Sequence, residues 1–319
     1  MVQSLDVRFT VRQALSGLSL IEELIDFAHF RKDAPNRAWS HATYDRIVLA
    51  CRRGDLGSLT RDTLLFAVGE AVLGVDVDLA NTQFSGAALR LPPFVFGYEP
   101  EVLGAIEHFL PRDGTFLDVG SNWGYFLFHL LLDPSFKGQV AAIEAGAQGF
   151  GDMERLCHRL NLGDRARLIR AAAGAHSGWA ELSSSPSSGN RSIVDTPMGG
   201  EVVRMLRIDE LGLRPSLIKL DIENYEPEAI EGAAATIAKG RPVLIFEHWS
   251  GPRGRSDGRE PFSQLAALGY RFDALTFAAT SAPSRIVPFV VEGQLTLTPL
   301  ALGNRGEFPT QVNVLARPR

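Results

Sequence analysis

The stretch FLDVGSNWGYF, Phe116 to Phe126, limits what this chain can fold into more than any other. A short apolar run ends in an acid, Asp118, and then in two glycines spaced Gly120-x-x-x-Gly124. Such a run reads as a buried parallel strand that hands over to a helix through a loop open enough for a ligand to touch backbone. A dinucleotide pyrophosphate needs glycines at the first, third and sixth loop positions. Counted from Gly120, the third and sixth positions hold Asn122 and Tyr125. Neither close approach of backbone to phosphate nor tight helix packing is provided for, so a pyrophosphate is disfavoured.

A ligand with an adenosine end and no phosphate remains compatible. It needs an open glycine turn, polar side chains for an amino-acid group, and an acid for ribose hydroxyls; S-adenosyl-L-methionine is such a ligand. The next strand, QVAAI at 139–143, ends in Glu144, about twenty residues after Gly124. There a doubly wound fold puts the carboxylate that grips a ribose. The expected cofactor-binding residues in this region are Asp118, Gly120, Ser121, Asn122, Gly124 and Glu144. Two plainer readings stand beside this one: Glu144 as a cap for the helix that follows, and Asp118 as a turn-forming acid.

A length of 319 residues suits one large α/β domain with an extension. A formal charge of −5 and the absence of a basic stripe give no field for nucleic acid, so no nucleic-acid partner is expected. Cys51 and Cys157 lie far apart with no metal-ligand spacing, which predicts a reducing cytoplasm. The longest apolar run, around Leu64 to Val75, is interrupted by Glu70 and falls short of the roughly 18 residues of a membrane span. ALSGLSLI is brief and soon followed by Glu22 and Glu23, so no signal peptide is expected from it.

Apolar spacing predicts helices over Leu18–Ala28, Tyr44–Cys51 and Leu59–Val68, hence an N-terminal helical extension over 1–74. Alternation over Val75–Leu91 suggests a hairpin that, with a helix at Glu101–Leu110, makes a lead-in over 75–111 to a domain spanning 75–319. Strands and helices then alternate to the C-terminus: an α/β fold with a mostly parallel sheet covered on both faces and an antiparallel hairpin at one edge. The polar stretch SSSPSSGNRS, Ser183 to Ser192, reads either as a surface loop or as a source of substrate contacts, with Asn190 and Ser192 the candidates.

A second constellation lies in LIKLDIENYEPEAIEGA, Leu217 to Ala233. Lys219, Asp221 and Glu223 interrupt a strand that should be almost continuously apolar, and period-two geometry puts all three on one side while the chain stays extended. At the carboxyl end of a central strand they face the crevice where α/β sheets bind ligands. The alternative is an ion pair that only secures the strand end. RPVLIFEHW, Arg241 to Trp249, delivers Glu247 and His248 toward the same edge, the alternative for His248 being a solvated histidine after a strand.

These segments, in order, resemble the FkbM-type methyltransferases. The resemblance runs through GYEPEVL (97–103), FLDVGSNWGY, IEAG (143–146), MLRIDEL (205–211), KLDIENYEPEAIEGA, PVLIFEHW and NVLARP (313–318), and covers roughly Val75 to the C-terminus. It departs from the family at Ala145-Gly146, where a proline-containing acidic turn is usual, and at Asn224, where glycine is usual. The resemblance implies a Rossmann-like class I methyltransferase sheet and an S-adenosyl-L-methionine-dependent O-methyltransferase. Its acceptor would be a hydroxyl on a sugar, a polysaccharide or glycolipid, or a secondary metabolite. Glu99, in the first segment, joins the expected cofactor-binding residues. Asp221, His248, Glu223 and Lys219 are the expected catalytic set, with Asp221 or His248 as base or orienting group and Lys219 tuning the carboxylates. No metal is assigned, although Asp221, Glu223, Glu247 and His248 could together hold a divalent cation. A small-molecule or glycan acceptor is the expected partner, and a homo-oligomer is compatible. The rival readings are an inactive methyltransferase-fold protein that only binds the nucleoside and, disfavoured by the glycine spacing, a nicotinamide oxidoreductase.

Overall fold

The computed structural model describes residues 1–15, 61–68, 70–78, 96–183, 192–194, 199–249, 261–282, 287–301 and 311–319. Its strands are β1 (Gln3–Val11), β2 (Gln13–Leu15), β3 (Arg61–Val68), β4 (Ala71–Asp78), β5 (Thr115–Val119), β6 (Gln139–Glu144), β7 (Ala166–Arg170) and β8 (Ala172–Ala173). They continue as β9 (Gly178–Leu182), β10 (Ile193–Val194), β11 (Glu201–Leu206), β12 (Leu217–Leu220), β13 (Val243–Trp249), β14 (Tyr270–Ala279), β15 (Phe289–Pro299) and β16 (Gln311–Pro318). The α-helices are α1 (Pro100–Phe109), α2 (Tyr125–Leu131), α3 (Ala147–Arg159), α4 (Glu226–Gly232), α5 (Ala234–Gly240) and α6 (Pro261–Ala267).

Nine strands form the main sheet in the order β1-β15-β14-β16-β13-β12-β5-β6-β7. From β13 to β7 every pairing is parallel, and from β13 through β16, β14 and β15 to β1 every pairing is antiparallel. The order of the parallel strands reverses between β5 and β12, the switch point at which open α/β sheets leave a crevice for ligands. Both strands there are short and buried along their length, TFLDV and LIKL, because helices cover both sheet faces.

Period two assigns the faces. Phe116, Leu217 and Ile245 point into a core shared with α1, α2 and α3. Leu117, Ile218, Leu244 and Phe246 point into the other, packed by Ala229 and Ile230 of α4, Ile237 of α5, and Phe262 and Leu265 of α6. Among the described residues no helix is long and apolar enough to cross a membrane.

The N-terminal region departs from its expected helices. Leu59–Val68 was expected to be helical, but Arg61–Val68 is strand β3, hairpinned to β4 in an antiparallel register from Arg61↔Asp78 to Val68↔Ala71. A short apolar run such as TLLFAV fits both periods, and burial of Leu64 and Phe66 two apart shows which one holds. Val75–Asp78, the start of the hairpin expected over Val75–Leu91, belongs to β4, which begins at Ala71 and pairs with β3. The expected helices at Leu18–Ala28 and Tyr44–Cys51, and the rest of that hairpin beyond Asp78, lie outside the described residues. Residues 3–11 add the outermost strand of the main sheet, with Val7, Phe9 and Val11 turned inward. The antiparallel edge is accordingly wider than the hairpin expected: β14 does pair with β16, while β15 and β1 extend the sheet beyond it. A further sheet, β10-β9-β11-β8, stands beside the core.

Candidate active site

The loop after β5 is built for close approach. Gly120 has φ +80, and a Cβ there would fall 1.9 Å from the carbonyl oxygen of Asp221. Gly124 has φ +93, and a Cβ there would crowd Met153 Cγ at 3.0 Å. Both positions therefore need glycine for conformation and for space. Between them Asn122 also adopts a left-handed backbone, φ 52. The N–H groups of Gly120 and Ser121 donate to the carbonyl of Ile143, which ties the loop to the end of β6.

Glu144 completes that tie. Its Oε2 accepts the N–H of Asn122 at 2.8 Å and its Oε1 the N–H of Gly146 at 2.7 Å. Gly146 is the N-cap residue of α3, so the bond to its N–H also ties Glu144 to the start of that helix. The carboxylate bridges two loops, each at the carboxyl end of a parallel strand. The structure thus brings together Gly120, Ser121, Asn122, Gly124 and Glu144, five of the seven residues expected to bind the cofactor, the other two being Glu99 and Asp118.

Asp118 is fully buried, and neither of its carboxylate oxygens has a hydrogen-bond partner. Burial pushes its carboxyl up to about 6, with Lys219 acting against the rise and Asp221 adding to it. Lys219 is its register partner on β12, so the two side chains share one sheet face. The Lys219 ammonium lies 2.9 Å from Asp221 Oδ2 and 4.9 Å from the centre of the Phe126 ring. Burial works to lower its pKa, but Asp221, Glu99 and Asp118 together outweigh that and hold it protonated.

Strand β12 ends at Leu220, and the chain then turns rather than staying extended to Glu223. Glu223 and Asn224 both have positive φ, 54 and 71. That explains the asparagine at the position where the resembled family has glycine: Asn is among the few other residues that tolerate the left-handed region. The turn is pinned by Glu226, a buried residue whose Oε1 accepts the N–H of Ile222 at 3.0 Å.

Glu247 and His248 part company. Glu247 shares the face of Lys219 and Asp221, and its carboxylate accepts the Trp249 indole N–H at 2.8 Å and a short bond from the Gln311 amide. Burial, then Asp221, pushes it up to about 7. His248, one residue on, points to the opposite face, where its ring meets Phe262 of α6 at 4.9 Å. The expectation that His248 joins Asp221 in one crevice is corrected by this pleat. Asp221, Glu223 and Glu247 instead present carboxylate oxygens within 4.8 Å of one another.

Glu99 precedes α1 with a left-handed backbone, φ 45. Its Oε1 accepts from Asn313 Nδ2 at 3.4 Å, and its Oε2 is buried without a hydrogen-bond partner. Asn313 is the register partner of Glu247, so Glu99 hangs over the same polar face. Burial raises its carboxyl well above the ordinary value, against the pull of Lys219. Ser192 serves the pairing of β9 with β10, its N–H donating to Ser183 Oγ at 3.1 Å. Asn190 lies outside the described residues. Sequence reasoning passed over Gln311, Trp249 and Asn313, which orient the acids; alternation along VLIFEHW and QVNVLARP was the signal that could have placed them on the acids' face.

A doubly wound sheet, with a glycine loop, an end-of-strand carboxylate and an acid group at its switch point, defines a Rossmann-like α/β domain. Residues 118–272 match the family model of the methyltransferase FkbM domain. The match takes in 155 of the chain's 319 residues, from β5 into β14. A solved structure of the methyltransferase FkbM from Methylobacillus flagellatus is similar over 68% of this chain and 53% of its own, at 18% identity and a TM-score of 0.43. This chain therefore spans about half the length of that protein. Precorrin-6y C5,15-methyltransferase from Geobacter metallireducens is similar over 66% of this chain and 82% of its own, at 11% identity and a TM-score of 0.35. TYW2 of P. horikoshii, solved in complex with MeSAdo, is similar over 82% and 74%, at 13% identity and a TM-score of 0.35. No curated protein matches the chain.

Proposed function

We propose that the protein transfers a methyl group from S-adenosyl-L-methionine to a hydroxyl of a sugar, a polysaccharide or glycolipid, or a secondary metabolite. The observation that carries this reading is the Gly120–Gly124 loop bridged by Glu144 beside the Lys219–Asp221 strand end. Its residues fit the donor: a glycine turn packed on the end of β12, a carboxylate for ribose hydroxyls, and an excess of acid complementary to a sulfonium. Glu144, Asn122 and Ser121 would hold the nucleoside and amino-acid ends, with Asp118 behind them. The donor supplies an electrophilic methyl group. The chain's part is to align the acceptor hydroxyl and to accept or orient its proton, work we assign to Asp221 with Lys219 fixing its carboxylate.

The test is transfer of radiolabelled methyl from S-adenosylmethionine into a metabolite extract. Wild-type protein should label a hydroxyl-bearing product, and Asp221→Asn should keep donor binding while slowing labelling by about a hundredfold or more. Full labelling by Asp221→Asn would remove Asp221 from the mechanism. Donor binding with no labelling of any extract would favour a protein that binds the nucleoside without catalysis.

A further inference from the structure

We propose that Asp221, Glu223 and Glu247 form a binding site for a hard divalent cation, Mg²⁺ or Mn²⁺, at the carboxyl ends of β12 and β13, with Glu99 as a fourth carboxylate facing it. The three offer oxygens within 4.8 Å of one another, a span one ion can bridge. Oxygen-only donors suit Mg²⁺ and Mn²⁺ rather than softer metals.

Acids crowd many surfaces without binding a metal, so the case turns on what surrounds them. Glu99 Oε2 is buried and without a hydrogen-bond partner, while Asn313 holds the other oxygen of that carboxylate on the face of Glu247. A buried carboxylate oxygen left without a partner costs free energy that a cation beside it would offset. Glu247 is held by the Trp249 indole and the Gln311 amide. Outer donors of this kind orient metal-bound carboxylates. The Lys219 ammonium takes only Oδ2 of Asp221, leaving Oδ1 to the ion. Among the described residues, Asp221, Glu99, Asp118 and Glu247 share the Lys219 ammonium, and a divalent ion would reduce the excess of negative charge.

The ion would polarise the acceptor hydroxyl beside the methyl donor. That role rests on the methyl-transfer reading; occupancy of the site does not. Mn²⁺ titration of the full chain, followed by the free-ion electron paramagnetic resonance signal, tests occupancy. One Mn²⁺ per chain is expected, with binding weakened about tenfold or more in Asp221→Asn, Glu247→Gln and Gln311→Leu. Gln311→Leu keeps every carboxylate, so its loss reports orientation of Glu247. Mg²⁺ should also raise the melting temperature of the wild type, a readout that needs no variant to fold. Absence of Mn²⁺ binding to the wild type, or unchanged affinity in both Asp221→Asn and Glu247→Gln, overturns the site. Calorimetry with S-adenosylmethionine on the same wild-type sample separates the two ideas. Donor binding without Mn²⁺ ends the cation site alone, and Mn²⁺ binding without donor ends the methyl-transfer reading alone.

Discussion

Gly120 and Asp221 lie so close across the β5–β12 switch point that a Cβ on the glycine would sit 1.9 Å from the aspartate's carbonyl oxygen. The two motifs that stand out in the sequence, a hundred residues apart, are thereby one structure. The glycine loop can take its shape only because the strand end beside it is where it is, and the converse holds.

Gly120→Ala should therefore be costly beyond its single methyl group. The residue sits at φ +80, which an L side chain resists by about 1–2 kcal/mol, and the clash is with backbone that cannot rotate away. We expect a loss of at least about 2 kcal/mol in denaturant unfolding together with weakened donor binding. A variant with wild-type stability would show that the loop relaxes freely.

Glu226 gives a pH signature distinct from the site's chemistry. Burial pushes its carboxyl up to about 8, against the hydrogen bonds from Ile222 and its own N–H, with Asp221 and Glu247 adding to the rise. A folded value above the unfolded one means a contribution fully present below about pH 4.5 and lost as pH rises toward 8. Glu226→Gln keeps an acceptor for the Ile222 N–H and cannot ionise. The variant should match wild type near pH 4.5 and exceed it near pH 8, by something of order 3 kcal/mol. Melting curves at several pH values check this, and parallel pH dependences for the two proteins would contradict it.

The elements that could be read from the sequence are those whose signal is local. TFLDV, QVAAI and LIKL are mostly apolar because both sheet faces are covered, and the polar residues that matter, Asp118, Glu144 and Lys219, stand in these runs or directly after them. What could not be read depends on partners far away. Glu247 and His248 are adjacent in sequence, and only the packing of α6 against one face decides which of them joins Asp221. Glu99 came from the resemblance alone, since its place over the site depends on Asn313, two hundred and fourteen residues on. The eight residues of the strand at Arg61–Val68 fit a helical period as well as a strand's, and only the pairing with β4 decides between them.

Glu144 bears the central claim, since its carboxylate bridges Asn122 and Gly146 where a ribose would be gripped. Isothermal calorimetry of the full chain with S-adenosylmethionine tests that claim most directly, with NAD as the competing ligand and Glu144→Ala as the variant. We predict one donor site per chain, no NAD binding, and affinity reduced by about tenfold or more in Glu144→Ala, as expected for loss of charge-assisted hydrogen bonds. Binding of NAD alone, or donor affinity unchanged in Glu144→Ala, would contradict it.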